Sequence, residues 1–262
     1  MSWIAVTRPV SATLADCELT HLERVPIRVD RARAQHAAYE VLLAGLGCRI
    51  ERLPAAPEHP DSVFVEDTAV VVDEVAVMTR PGASSRRGEV DSVARMLTRF
   101  RTLRALRVPA TLDGGDVLRF GRRFYVGLSS RSNTAGVEQL RSALEPFDYS
   151  VEGVELQGCL HLKSAITEIA PGMALVNPAW IDVAQFTDVE PIEVDAAEPS
   201  AANGLRIGET LVYADAFPRT LERVLARGIE VALVDLSELA KAEGAVTCCS
   251  LIFSAAQPQT RL

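Results

Sequence analysis

Apolar residues recur along the chain in one coarse pattern: two short apolar runs joined by a tight turn, a stretch with helical spacing, then a third apolar run. In the first complete copy, VFVEDTAVVV and VAVMT flank a turn at Asp73 and Glu74, EVDSVARMLTRF spaces its apolar residues as an amphipathic helix, and TLRAL closes the unit as a strand. The second copy starts at TLDGGDVLRF, turns at GRR and returns through FYVGLS. Its helix runs from Asn133, a favoured N-cap type, to Leu144, with Glu145 and Pro146 as the stop, and YSVEGVEL follows as the closing strand. The third copy uses SAITEIA, a PG turn, MALV, a short helix near WIDVAQF and EPIEV. The fourth uses GLRI, a GE turn, TLVYA, a helix over PRTLERVLARG that opens with Pro and closes before Gly, and IEVALV.

Two incomplete pieces remain. The N-terminal one has a strand WIAVTR, a helix VDRARAQHAAYEVLLAGLG and a strand CRIERL; the C-terminal one is VTCCSLIFSA. Joined, they make a fifth unit, so the pattern predicts an α/β chain of five ββαβ repeats. A ring closed by pairing the last strand with the first would hide the sheet edges. Periodicity alone also admits an open α/β sheet. No Gly-rich phosphate loop follows any strand, which removes support for a nucleotide-binding α/β fold.

The 262 residues allow one large domain or two small ones, with ample length for a core. Only 5% of residues are aromatic and the formal charge is −8, so neither a base-stacking surface nor a phosphate-neutralising one is expected. Nucleic acid and anionic membrane are therefore poor partners, and a cationic small molecule is a better one. No apolar run approaches the roughly 18 residues of a membrane span, and MSWIAVTRPV lacks the features of a signal peptide, so a cytoplasmic protein is expected. The five cysteines, at 17, 48, 159, 248 and 249, are odd in number and form no CxxC pair, which argues against disulfides and structural zinc.

Candidate chemistry lies in a few places. His21, His36 and His59 have polar or helical surroundings, and His36 is expected half-exposed on the N-terminal helix. His161, in GCLHLKSA, stands at the mouth of a strand, on the face opposite Leu160 and Leu162. Cys248 and Cys249 enter a strand on opposite faces, one packed in the core and one available. Glu66 and Asp67 sit between apolar runs, as do Asp113 and Asp116 around Gly114 and Gly115. Carboxylates in such places are costly unless paired, hydrogen-bonded or held for a cation. The Gly pair allows a backbone to approach a ligand closely.

In order and approximate spacing, VFVEDTAVV, TRPGASSRR, TLDGGDVL, FYVGLSSRSN, LHLKS and TCCS resemble the dimethylarginine dimethylaminohydrolases, a family of the guanidino-modifying pentein superfamily. The resemblance runs along nearly the whole chain. It implies one catalytic domain over residues 1–262, an α/β five-bladed ββαβ propeller around a central active-site channel. It implies hydrolysis of asymmetric dimethylarginine or monomethylarginine to citrulline through a covalent cysteine intermediate, with no cofactor and no metal, in a monomer or homodimer. Carried over by position, Cys249 is the expected nucleophile, His161 the general acid and base, and Asp113 the carboxylate orienting His161. Asp61, Glu66 and Asp67 are expected to hold the substrate guanidinium, and Arg86 and Arg131 its amino-acid carboxylate. Leu19 is expected on a mobile lid, with the carbonyl of Glu243 facing the substrate amino group.

The chemistry of these residues agrees with the roles. A guanidinium is a planar cationic fork of N–H donors, and paired carboxylates complement it. Arginine deiminases of the same superfamily carry an acidic residue two positions after the catalytic histidine, where this chain has Lys163. That difference favours a methylated substrate over arginine, leaving a deiminase, an amidinotransferase or a non-catalytic binding protein as alternatives. The orienting residue is Asp113 where the family's usual pattern has Glu. No Lys or Arg adjoins the CC pair, so the bound cation itself is expected to favour the thiolate.

Overall fold

In the computed structural model, which describes residues 2–187 and 189–255, the apolar runs form five three-stranded sheets. The chain begins with β1 (Trp3–Thr7), α1 (Val29–Gly45) and β2 (Cys48–Arg52). Next come β3 (Ala69–Val71), β4 (Val75–Met78), α2 (Val90–Leu97) and β5 (Thr102–Ala105). The third group is β6 (Val117–Phe120), β7 (Arg123–Leu128), α3 (Thr134–Leu144) and β8 (Ser150–Glu155). After α4 (Leu162–Ala165) the fourth sheet uses β9 (Ile166–Ala170), β10 (Met173–Val176) and β11 (Glu190–Glu193). The fifth has β12 (Gly204–Ile207), β13 (Thr210–Ala214), α5 (Pro218–Leu225) and β14 (Glu230–Val234). Finally α6 (Ser237–Ala240) leads to β15 (Leu251–Ser254), which pairs antiparallel with β1.

Every sheet repeats one plan: an antiparallel pair, then a crossover to a third strand parallel to the middle one, through an α-helix in four sheets and through a single 3-10 turn in the fourth sheet along the chain. The expected union of the two chain ends is present, with Ile4 opposite Phe253 and Arg49 on its other side.

Alternation along the first two strands of each sheet buries side chains on both faces, so inner strands such as β1, β4 and β13 are nearly continuously apolar, whereas the outer third strands such as β2, β5 and β8 are largely exposed and mix polar residues in. On β6, Val117 packs with Val70 and Val77, whereas Leu118 packs with Ile166 and Val176. Ile4 and Val6 meet Ala69 and Met78, while Ala5 joins Val212 and Ile207. Ile169 and Leu175 pack with Leu211 and Tyr213. Five apolar clusters thus join sheet to sheet, the fifth sheet to the first among them. The opening strands β3, β6, β9, β12 and β15 all contribute walls to one cavity of about 300 Å³. No helix among the described residues is long and apolar enough to cross a membrane.

Several local expectations are corrected. VFVED is not strand: Val65–Thr68 make a 3-10 turn and the strand starts at Ala69. Gly114–Asp116 form another 3-10 turn, and the expected helix near WIDVAQF is a single 3-10 turn at Val183–Gln185. His161 precedes α4 rather than entering a strand directly. His36 is buried, not half-exposed, because α1 is covered on several sides and also buries Gln35 and Glu40.

Candidate active site

The two 3-10 turns are pressed together. A Cβ on Gly114 would lie 2.0 Å from the carbonyl oxygen of Glu66, and one on Gly115 would lie 2.6 Å from His161 Nδ1. The Gly pair is therefore required by close approach. It lets the Gly115 N–H donate to Asp67 Oδ1 at 2.9 Å. Arg86 Nη1 donates to Asp67 Oδ2 at 2.5 Å. Burial alone would raise Asp67, but His161, Arg86 and the Gly115 N–H hold it down to about 2.

Arg86 is itself buried and does not stand open as a carboxylate clamp. Its Nε donates to Glu89 Oε1, and its Nη2 donates to Glu89 Oε2 and to the carbonyls of Phe64 and Asp61. Each of its nitrogens thus has a protein partner, and the residue braces Asp67 and the turn before it. Asp61 is also buried, and its Oδ2 accepts the Glu18 N–H at 3.1 Å. Burial pushes the Asp61 carboxyl up to about 6, against the opposing effects of Arg86 and the Glu18 N–H.

Asp113 and His161 meet as expected, with His161 Nε2 3.1 Å from Asp113 Oδ2. Asp113 Oδ1 accepts the Gly82 N–H at 2.9 Å, which fixes the carboxylate. Burial opposes charge on His161, yet Asp67, Asp116 and the Asp113 hydrogen bond raise it to about 9. The imidazole is consequently protonated at neutral pH, as a general acid requires. Asp116 accepts hydroxyl protons from Ser129 and Ser132 at 2.6 Å each and the Leu162 N–H at 3.0 Å. It ties the loop that carries Arg131 to the start of α4, immediately after His161.

The two adjacent cysteines do face different surroundings, but in the opposite sense to the expected one. Cys249 has no exposed surface and packs in the apolar cluster with Ala5, Tyr39 and Val246; its Sγ donates to the Ala245 carbonyl at 3.6 Å. Cys248 is partly exposed, and its Sγ accepts the Ala245 N–H at 3.4 Å. Burial, with the Glu66 and Asp67 carboxylates, pushes the Cys248 thiol up to about 12, while the Ala245 N–H and Lys163 oppose the rise. The thiol beside the acidic turn is therefore Cys248, and the expectation for Cys249 is corrected on this geometry.

Glu66 is buried with both oxygens engaged. Lys163 Nζ donates to Oε1 at 2.5 Å and Thr247 Oγ1 to Oε2 at 2.7 Å. Asn203 completes a closed circuit, donating from Nδ2 to the Lys163 carbonyl and to Thr247 Oγ1 and accepting the Thr247 N–H. Glu66, Lys163 and Thr247 also line the 300 Å³ cavity, whereas Asp113, His161 and Cys248 do not. Sequence reasoning did not find Asn203 or Thr247. Thr247 adjoins the cysteine pair, while Asn203, 44 residues earlier, gives no local signal.

Arg131 is nearly buried; its Nη1 is 3.7 Å from Asp113 Oδ2 and its Nη2 donates to Thr20 Oγ1 at 3.2 Å. Leu19 is partly buried against the cluster that holds Phe64 and Cys249. Glu243 has a left-handed backbone, φ +59°, and engages the segment around Leu19 through its side chain: Oε2 accepts the Thr20 N–H, and Oε1 accepts those of His21 and Leu22. Asp67, Asp113 and His161 each place one potential ligand atom within 4.8 Å of the others, and their contacts already pair two carboxylates with one imidazolium.

The family model described as N,N dimethylarginine dimethylhydrolase, eukaryotic, matches residues 20–190. The N(G),N(G)-dimethylarginine dimethylaminohydrolase of Streptomyces coelicolor is 39% identical over 249 residues, 94% of this chain and 95% of that protein. A cysteine-to-serine form of the Pseudomonas aeruginosa enzyme, complexed with citrulline, superposes with a TM-score of 0.92 at 32% identity, covering 97% of this chain and all of that one. A dimethylarginine dimethylaminohydrolase adduct with S-methyl-L-thiocitrulline superposes with a TM-score of 0.91 at 33% identity over the same shares. With that similarity along nearly its full length, the chain belongs to the dimethylarginine dimethylaminohydrolase family.

Proposed function

We propose that this protein hydrolyses asymmetric dimethylarginine and monomethylarginine to citrulline, releasing dimethylamine or methylamine, with Cys248 as the nucleophile. The observation that carries the reading is the setting of Cys248: a partly exposed thiol beside the buried Glu66 and Asp67 carboxylates, of which Asp67 Oδ1 lies 4.0 Å from Nε2 of His161, a histidine raised to about 9. Asp61 and Asp67 hold the substrate guanidinium, and Arg131 receives its carboxylate. Glu66, already paired with Lys163, closes the floor behind them. Arg86 acts by holding Asp67.

In the reaction, binding of the cation offsets the negative field around Cys248 and the thiol proton leaves. The thiolate attacks the central guanidinium carbon, giving a neutral tetrahedral adduct. The His161 imidazolium protonates the methylated nitrogen, the C–N bond breaks, and dimethylamine departs from a cationic thiouronium intermediate. The neutral imidazole then takes a proton from water as its oxygen bonds to the same carbon. Collapse breaks the C–S bond, returns the thiolate and leaves citrulline after loss of the remaining proton. Asp113 keeps the imidazole oriented and stabilises its charged form.

The same reading treats the five sheets as blades of one closed propeller forming a single domain, with the active site at one end of its central channel. The five apolar clusters shared by neighbouring sheets support it. Five unpaired cysteines suit a reducing, cytoplasmic setting.

The deciding assay incubates the protein with asymmetric dimethylarginine, monomethylarginine, arginine and agmatine, and measures citrulline, alkylamines and ammonia. Citrulline with dimethylamine from the dimethylated substrate is expected. Ammonia from arginine at the higher kcat/KM would make the protein a deiminase instead.

A further inference from the structure

The segment 18–22 carries Leu19 and is pinned at several points. The Glu18 N–H donates to Asp61 Oδ2 at 3.1 Å, and the Glu18 carboxylate accepts the Ser85 hydroxyl proton at 2.6 Å. Arg131 donates to Thr20 Oγ1 at 3.2 Å. The backbone N–H groups of Thr20, His21 and Leu22 donate to the Glu243 carboxylate at 2.9, 2.6 and 2.8 Å. Three successive N–H groups converging on one carboxylate form an anion-binding nest, and bonds to a charged acceptor are stronger than neutral ones.

The backbone at Glu243 is built to present that carboxylate. Its φ of +59° lies in the region that non-glycine residues seldom adopt, and such strain is retained where surrounding structure determines it. The Glu243 N–H donates to the Ala240 carbonyl at 3.1 Å, and the Gly244 N–H donates to Leu239 at 3.1 Å. A Cβ at Gly244 would lie 2.2 Å from the Phe64 ring, so the turn after α6 is wedged between the end of that helix and the residue before the acidic turn.

We infer that Glu243 is the lid latch: its carboxylate keeps residues 18–22 closed over the site while Asp61 and Arg131 turn to the substrate. The inference rests on the proposed reading in which those two side chains bind the guanidinium and the carboxylate. On that reading, both anchors compete with substrate for the lid. Glu243 does not compete, and it holds backbone rather than a side chain. Glu243 is thus a positioning residue that keeps Leu19 in place and water out during the two covalent steps.

The test compares wild type with Glu243→Gln and Glu243→Ala by hydrogen exchange at the amides of Thr20, His21 and Leu22 in the free protein, alongside KM and kcat. Glutamine keeps the length and an acceptor oxygen, so it decides the matter if alanine disturbs the turn; amides of β7 report any global loosening. The three lid amides are expected to exchange at least about tenfold faster in the alanine variant and by an intermediate factor in the glutamine variant. KM is expected to rise about tenfold, with kcat within about threefold of wild type. Equal exchange at all three amides in wild type and Glu243→Gln, with unchanged KM, overturns the latch. Failure of the functional reading looks different: wild type makes no citrulline from methylarginines, although the exchange difference persists.

Discussion

The Glu66 N–H donates to the carbonyl oxygen of Cys248 at 3.2 Å, so the acidic turn and the thiol turn form one unit. Thr247 reinforces it by donating to Glu66 Oε2. The arrangement brings Cys248, the proposed nucleophile, close to the Glu66 and Asp67 carboxylates, whose negative charge acts on the thiol against the opposing Lys163.

Cys248 should therefore be a thiol, not a thiolate, in the free protein near neutrality, consistent with its shift to about 12. A guanidinium between Cys248 and the carboxylates replaces repulsion by attraction and lowers that value. Thiolate absorbance titrated with and without a non-hydrolysable guanidine should show ionisation moving down by at least about one pH unit on binding. Full ionisation at pH 7 without ligand would end the substrate-assisted account.

The two cysteines should separate cleanly on replacement by serine. Cys248→Ser is expected to lower turnover by at least about 1000-fold while substrate binding is largely retained, because the hydroxyl is a far weaker nucleophile at this pH. Cys249→Ser should keep a working site but lose about 1–3 kcal/mol of stability, since it puts a hydroxyl among Ala5, Tyr39 and Val246. Isothermal binding, single-turnover citrulline assays and denaturant melts distinguish the two. The reverse pattern would restore Cys249 as nucleophile.

The pH dependence of kcat/KM has a defined sign. The reacting state carries a charged Asp61, a charged imidazole and a thiolate. Between about 6 and about 9 the free protein already has the first two but holds the thiol proton, so one proton must leave. The rate constant should then climb about tenfold per pH unit over this window, and more steeply below it, where Asp61 is also protonated. Above about 9 the free protein has lost the imidazole proton instead, the total proton count matches the reacting state, and the curve should level. Asp61→Asn should remove the steeper acid limb. A curve flat from 6 to 9 and falling beyond would mean a preformed thiolate.

Most of the sheet plan is legible in the sequence because the inner strands are buried on both faces, which leaves continuous apolar runs such as WIAV, AVVV and VAVM. The limits are equally physical. Thr247, Cys248, Cys249 and Ser250 lie in a turn, where the Cys248 N–H donates to Ala245 and the Ser250 N–H to Thr247, so a period of two does not apply and cannot say which thiol faces the site. The VFVED run is β-like in composition, but contact with Gly114 and partners for two carboxylates favour a 3-10 turn. The roles of Asn203 and the Glu243 side chain depend on contacts across 40 to 223 residues, beyond the reach of any local pattern.

Gly115 gives a test of geometry without changing a charged group. An added methyl would stand 2.6 Å from His161 Nδ1 and 2.9 Å from Asp67 Oδ1, closer than a Cβ approaches other atoms. The imidazole is the part able to move, and moving it stretches its 3.1 Å contact with Asp113. Gly115→Ala should therefore reduce kcat by about 100-fold, the scale associated with misplacing a catalytic group by an ångström. The fold should lose little more than about 1–3 kcal/mol, the usual overpacking cost. The His161 titration, followed by NMR, should fall from about 9 toward its ordinary value near 6.5 as the Asp113 and Asp67 contacts weaken. A variant with normal kcat and an unmoved His161 titration would show that the imidazole does not depend on this close approach.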